Sequence, residues 1–274
     1  MDADGTNERE LTSGGGSAEE PAWSPDGRTI FFTSNRGRAP DPANPKTQQS
    51  DIWAIDADGS NLHRLTDGIG VNVMAAPSPD GSRVLFVSTR TGVAKLFTID
   101  RDGTGLRQLT FGPSWDIAPA WSPDGSRVAF QSAGDALSAT TPYNIWVMDA
   151  DGSNVQNITR TPWNDHGPVW TPDGRQIVIS SYRDPDNEIY IMNADGTDQR
   201  RLTSRAGDEG TPRLSPDGSK ILFSSVRDGV SALYRMNLDG TGQQRVSHGA
   251  AEYGFASWAP MPLALMDTVA AAEQ

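Results

Sequence analysis

Short apolar runs recur along this chain, each closed by a turn signal. One series reads TIFFTS (29–34), RVLFVS (83–88), QIVIS (176–180) and ILFSS (221–225). A second reads DIWAID (51–56), KLFTID (95–100), NIWVMD (144–149), EIYIMN (188–193) and ALYRMN (232–237). Both are five or six residues long and rich in β-branched and aromatic side chains, which predicts strands. A third, shorter run follows each pair: HRLT (63–66), RQLT (107–110), QNIT (156–159) and RRLT (200–203). No long segment with helical periodicity precedes the C-terminal tail.

Two turn motifs alternate between the runs. Ser-Pro-Asp-Gly, or once Thr-Pro-Asp-Gly, places glycine at 27, 81, 125, 174 and 218. Proline presets φ for the first central turn position, aspartate suits the next, and glycine takes the positive φ that rejoins the ladder. The second motif, typified by DADG, places glycine at 5, 59, 103, 152, 196 and 240. Each glycine of the first series lies 22 residues after one of the second; the reverse gaps are 32, 22, 27, 22 and 22. One half of the repeat therefore has fixed length and the other carries the insertions. With the stretch that ends at the recurrent Trp, each repeat of about 44 residues supplies four strands, A to D, the pattern of a β-propeller blade. The expected fold is an all-β, six-bladed propeller in one domain, residues 1–262. Its irregular sixth blade is split between 1–12 and 251–262, and 263–274 forms a tail or a replacement strand.

The stretches PAWSPDG (21–27), PAWSPDG (119–125) and PVWTPDG (168–174), with their DADG partners, resemble the TolB-like propeller repeat. The resemblance runs over about residues 2–262. It implies a scaffold that binds a protein or peptide, in a periplasmic or extracellular setting. Blades of this kind also occur in propeller domains of peptidases and in polysaccharide lyases. The chain start, in the middle of a repeat, raises a further reading: a propeller domain from a longer protein. No leader pattern is read at the N-terminus, and compartment stays open.

The formal net charge is −12 over 274 residues, which argues against non-specific nucleic-acid binding and permits a basic partner. No cysteine is present, so there is no disulfide, thiolate nucleophile or cysteine metal site. No apolar run approaches the ~18 residues of a membrane-spanning helix. No cofactor, catalytic set or metal site is expected, and the chain is expected to be a monomer. The enzymatic alternative, a lyase or hydrolase, would centre on His166.

In a propeller the A–B and C–D turns share one face, and the B–C and D–A loops share the other. The stereotyped turns then read as structure, and the variable loops as the place for binding. Insertions fall in two B–C loops, 35–51 and 133–144. Aligned on the Trp position, the entry to strand A gathers Glu19, Glu20, Asn72, Asp116, Asp165, His166, Glu209 and Tyr253, with Trp115 and Trp163 just before it. These ten residues are the expected partner-binding set, an acidic rim at the channel mouth. The same carboxylates could instead pair internally with Arg36, Arg90, Arg183 and Arg227, which end strand B. Trp23, Trp121, Trp170 and Trp258 are expected between blades.

Overall fold

The computed structural model describes residues 10–38, 49–134 and 141–247. Within them lie twenty strands in five antiparallel sheets, each a meander of four. Blade one is β1 (Glu19–Trp23), β2 (Thr29–Ser34), β3 (Asp51–Asp56) and β4 (His63–Arg64). Blade two is β5 (Asn72–Pro77), β6 (Arg83–Ser88), β7 (Lys95–Asp100) and β8 (Arg107–Gln108). Blade three is β9 (Asp116–Trp121), β10 (Arg127–Ser132), β11 (Asn144–Asp149) and β12 (Gln156–Asn157). Blade four is β13 (Asp165–Trp170), β14 (Gln176–Ser181), β15 (Glu188–Asn193) and β16 (Arg200–Arg201). Blade five is β17 (Glu209–Leu214), β18 (Lys220–Ser225), β19 (Ala232–Asn237) and β20 (Gln244–Arg245).

The six-bladed expectation is thereby corrected: the described residues build five four-stranded blades. Its A–B turn would have fallen at 259–262, where APMP stands in place of Ser-Pro-Asp-Gly, and no B and C runs were legible for it. Residues 1–9 and 248–274, assigned to that blade and the tail, lie outside the described residues, as does Trp258. Residues 10–12 carry no strand, but Leu11 packs on the blade-one cluster of Ile30, Phe32 and Ile55. It does for blade one what Leu65 does for blade two, where it joins Val84, Phe86 and Phe97.

Turn chemistry sets the hairpins. In each A–B turn the glycine N–H donates to the carbonyl of the turn's Ser or Thr, as Gly125 does to Ser122 at 2.9 Å. The hydroxyl of that residue donates to the turn aspartate, and the aspartate accepts the N–H two residues on, as in Ser122, Asp124 and Ser126. These bonds, led by the Ser78 and Ser122 hydroxyls, hold the Asp80 and Asp124 carboxyls at about 2. The C–D turns repeat the logic with Asp102 and Thr104, Asp151 and Ser153, Asp195 and Thr197, and Asp239 and Thr241.

Strand D is two residues long, shorter than the four-residue run. Its last position turns inward, and a hydroxyl replaces the backbone partner. Thr66, Thr110, Thr159, Thr203 and Ser247 each accept the N–H of the second strand-C residue, at 2.9–3.1 Å. The core lies between blades. Strand A of blades two to five packs on strands A, B and C of the blade before it. Trp121 and Trp170 are buried there, and their indole N–H groups donate to Ala76 and Ala120 carbonyls of the preceding blade.

Candidate functional site

Strand A carries a β-bulge in every described blade, which the sequence reading missed. Pairing with strand B slips between Glu19 and Ala22, Val73 and Ala76, Ile117 and Ala120, His166 and Val169, and Gly210 and Arg213. The residue three before the Trp position has positive φ each time: Glu20 53°, Met74 58°, Ala118 51°, Gly167 57° and Thr211 48°. Non-glycine residues seldom adopt this conformation, and its regular recurrence marks a built feature. Gly167, together with the prolines that follow at 21, 119, 168 and 212, was the available signal. The bulge re-aims main-chain donors. The Met74 N–H donates to Glu20 Oε2 at 2.9 Å, and the Thr33 hydroxyl to the same oxygen at 2.8 Å, so half-buried Glu20 links blades one and two. Glu20 also acts on Arg213: loss of solvent pushes that guanidinium below the ordinary arginine range, and the Glu20 charge opposes it.

The expected acidic positions fall into two groups. Asp116, Asp165 and Glu209 are buried, and each is paired. Lys95 Nζ meets Asp116 Oδ2 at 2.7 Å. Asp165 accepts from Ser181 Oγ at 2.6 Å, Thr161 Oγ1 at 2.8 Å and Arg183 Nη2 at 2.9 Å. Glu209 Oε1 accepts from Arg227 Nη2 at 2.7 Å and from Ser225 Oγ at 3.1 Å. Asn72 is buried too, donating to Asp51 Oδ1 at 3.0 Å. Glu19 is exposed. Tyr253 lies outside the described residues.

The arginines that follow strand B lie over strand-C aromatics. Arg90 lies over Phe97 at 5.2 Å, Arg183 over Tyr190 at 4.3 Å, Arg227 over Tyr234 at 4.6 Å and Arg36 over Trp53 at 5.8 Å. Each guanidinium caps the aromatic end of strand C, and Arg183 and Arg227 also hold the first residue of strand A. The buried acids therefore fix the loop ends. Glu188 is also buried close to Glu209; burial pushes both carboxyls above the usual range, with Thr203 opposing at Glu188 and Arg227 at Glu209.

Large side chains on the same face stay in solvent. Phe111 is 72% exposed, Trp115 55% and Trp163 49%, all in D–A loops, with Ile69 and Tyr182 also exposed. His166 is half-buried, 5.6 Å from the Tyr182 ring in an edge-on arrangement and 6.3 Å from Tyr143. Burial pushes its imidazole below the ordinary histidine range, and the Asp165 charge works the other way. At neutral pH it is a neutral aromatic with polar edges. Phe111, Tyr143 and Tyr182 joined this surface without being foreseen; an aromatic directly after strand D was the sign for Phe111. The insertion segments 39–48 and 135–140 lie outside the described residues. Among the described residues, no group of three or more His, Asp or Glu is placed to hold a metal, and no helix is long and apolar enough to cross a membrane.

A family model described as the TolB beta propeller domain matches residues 43–140 and 164–269. An uncharacterized protein of Agrobacterium fabrum, Atu1656, is 41% identical over 88 residues, which is 32% of this chain and 27% of that protein. The chain thus spans about a quarter of the length of that curated relative. A solved structure from Agrobacterium tumefaciens, provisionally assigned as TolB, is similar with TM-score 0.76 and 23% identity, covering 92% of this chain and 89% of that one. TolB from Acinetobacter baumannii is similar with TM-score 0.74 and 21% identity, covering 89% of this chain and 58% of that one. At these identities the likeness to the two structures is one of fold.

Proposed function

The chain belongs to the TolB beta propeller domain family, and on that premise we propose that it is a non-enzymatic scaffold that binds a protein or peptide on its loop face. The observation that carries this reading is the contrast between the faces. On the turn face the aspartates are consumed by their own turns. On the loop face Phe111, Trp115 and Trp163 stand in solvent around a channel mouth whose carboxylates are paired. Exposed aromatics are the residue class that anchors protein interfaces, and arginine–carboxylate pairs beneath them keep the loop ends rigid. Exposed Glu19, half-buried Glu20 and His166 supply polar contacts at the rim. Asp116, Asp165, Glu209 and Asn72 act in this reading as supports. A basic partner is served by Glu19 and Glu20 more than by the buried acids.

The test is comparative capture. The chain and a variant with Phe111, Trp115 and Trp163 changed to Ser serve as baits, alongside a turn-face control, Asp102→Ser with Asp195→Ser. A partner retained by the first and third baits and lost by the second supports the proposal. Equal recovery on all three overturns it.

A further inference from the structure

Four blades place an arginine two residues after the serine that ends strand B: Ser34 and Arg36, Ser88 and Arg90, Ser181 and Arg183, Ser225 and Arg227. In blade three the matching residue after Ser132 is Gly134. One backbone contact is shared. Gly134 N–H donates to Ser132 Oγ at 3.0 Å, as Arg36, Arg90 and Arg227 N–H do to their serines at 3.2–3.3 Å. A cavity of about 230 Å³ lies in this region, lined by Ser132, Asn144, Trp146, Asn157, Arg160 and Thr161 among others. Trp146 is the strand-C aromatic that matches Trp53, Phe97, Tyr190 and Tyr234, the residues capped by arginine in the other blades. Trp146 stays half-buried, as does Trp53 beneath Arg36, whereas Phe97, Tyr190 and Tyr234 are buried.

We propose that this cavity is a binding site for a guanidinium group supplied from outside the chain. Three observations support the choice of ligand. An indole already serves as a guanidinium platform in blade one, where Arg36 lies 5.8 Å over Trp53. Part of the acceptor set persists: Ser132 lines the cavity and pairs with Asp116 across strands A and B, while Val155 stands where Gln199 and Gln243 accept from Arg183 and Arg227. Asp116 Oδ2 holds Lys95, while Oδ1 takes a long bond of 3.4 Å from Ser114 Oγ; the corresponding Asp165 Oδ1 takes Arg183 and Ser181. A side chain at position 134 cannot readily fill the place: Gly134 has φ 69°, and a Cβ there would meet the Trp146 ring at 3.0 Å. Arg160, the one charged residue among the described lining residues, is tied at the rim by Nε to the Asn157 carbonyl at 3.0 Å and by its N–H to Asn157 Oδ1 at 2.9 Å. The planar guanidinium stacks on the indole, and its N–H groups reach toward Ser132 Oγ and Asp116 Oδ1, the roles Arg227 fills on Tyr234, Ser225 and Glu209. The site does not depend on the partner-binding role proposed for the channel mouth.

The probes are N-acetyl-arginine amide, methylguanidine and, as the ammonium control, N-acetyl-lysine amide. Binding to the full chain is followed by calorimetry and by the Trp146 indole N–H resonance, assigned with Trp146→Phe. Saturable binding of the arginine amide on the order of 1 mM is expected, with the lysine amide several-fold weaker. Trp146→Phe retains binding, and Trp146→Leu weakens it about tenfold or more. Binding by methylguanidine but not by the arginine amide assigns the site to small guanidino compounds; binding by both admits an arginine side chain of a polypeptide. Should Trp146→Leu fail to fold, the wild-type resonance decides: an indole signal that does not move up to roughly 50 mM probe overturns the proposal. So does equal affinity for the lysine amide.

Discussion

Replacing Asp165 with Ala tests whether the carboxylates of the channel mouth are supports or free rim charges. The side chain is fully buried and accepts three hydrogen bonds, from Ser181 Oγ at 2.6 Å, Thr161 Oγ1 at 2.8 Å and Arg183 Nη2 at 2.9 Å. Its loss leaves a guanidinium uncompensated against Tyr190, which costs about 3–5 kcal/mol for a buried pair. Arg183 keeps Ser181 Oγ and Gln199 Oε1 and is 16% exposed, so water relieves part of the penalty. The lower end, about 3 kcal/mol, is therefore expected, with a fall in Tm of roughly 6–12 °C for a domain of this size. Urea unfolding followed by circular dichroism measures it. Adding Arg183→Ala should recover part of the loss, a coupling of about 2 kcal/mol. A loss below about 1 kcal/mol, with no coupling, would refute the reasoning, because it is what a solvated surface pair shows.

The remaining predictions concern the turns and the blade seams. Because folding lowers the turn carboxyls, with Asp80 and Asp124 at about 2, the stability they supply is present above the unfolded value near 3.8 and is lost as pH falls toward 2. Tm against pH should accordingly drop steeply between about 4 and 2, and a drop beginning above about 5 would point to other groups. Glu188 has the opposite sign: its raised carboxyl costs stability as pH rises through the folded value. Glu188→Gln should thus gain stability over the parent as pH rises from below about 4.5 to neutral, and a constant difference across that range would contradict the assignment. Gly196 has φ 86°, and a Cβ there would collide with the Ile158 carbonyl. Gly196→Ala should cost about 2 kcal/mol or more in denaturant unfolding, and a cost under about 0.5 would show that the seam gives way.

The repeat was legible because its turns use residues with one conformational purpose. Ser-Pro-Asp-Gly and the D-x-D-G-like motif located the A–B and C–D hairpins of every described blade, and the apolar runs between them became strands B and C in each blade. The blade count was misread because termini were matched to half-blades by spacing, with no strand-forming runs to complete them. Strand D was overestimated, since Leu65 and Thr66 are strand-like in type but turn inward to the core and to the Ile52 N–H. Alignment on the Trp position put Trp115 and Trp163 in the loops before strand A and His166 at its start, where they stand. It could not decide whether Asp116, Asp165 and Glu209 faced water, because that depends on Lys95, Arg183 and Arg227 reaching them across strands. The strand-A bulge escaped for a similar reason: four of its five positions are not glycine.

Once capture has supplied a partner, its titration against single-site variants tests the central claim most directly. Trp115→Ala and Trp163→Ala should each weaken binding at least tenfold, about 1.4 kcal/mol, while leaving Tm within a degree or two. Asp102→Ser and Asp195→Ser on the turn face should leave affinity within about twofold. The reverse pattern, with affinity lost on the turn face and kept in both Trp variants, would contradict the assignment of function to the loop face.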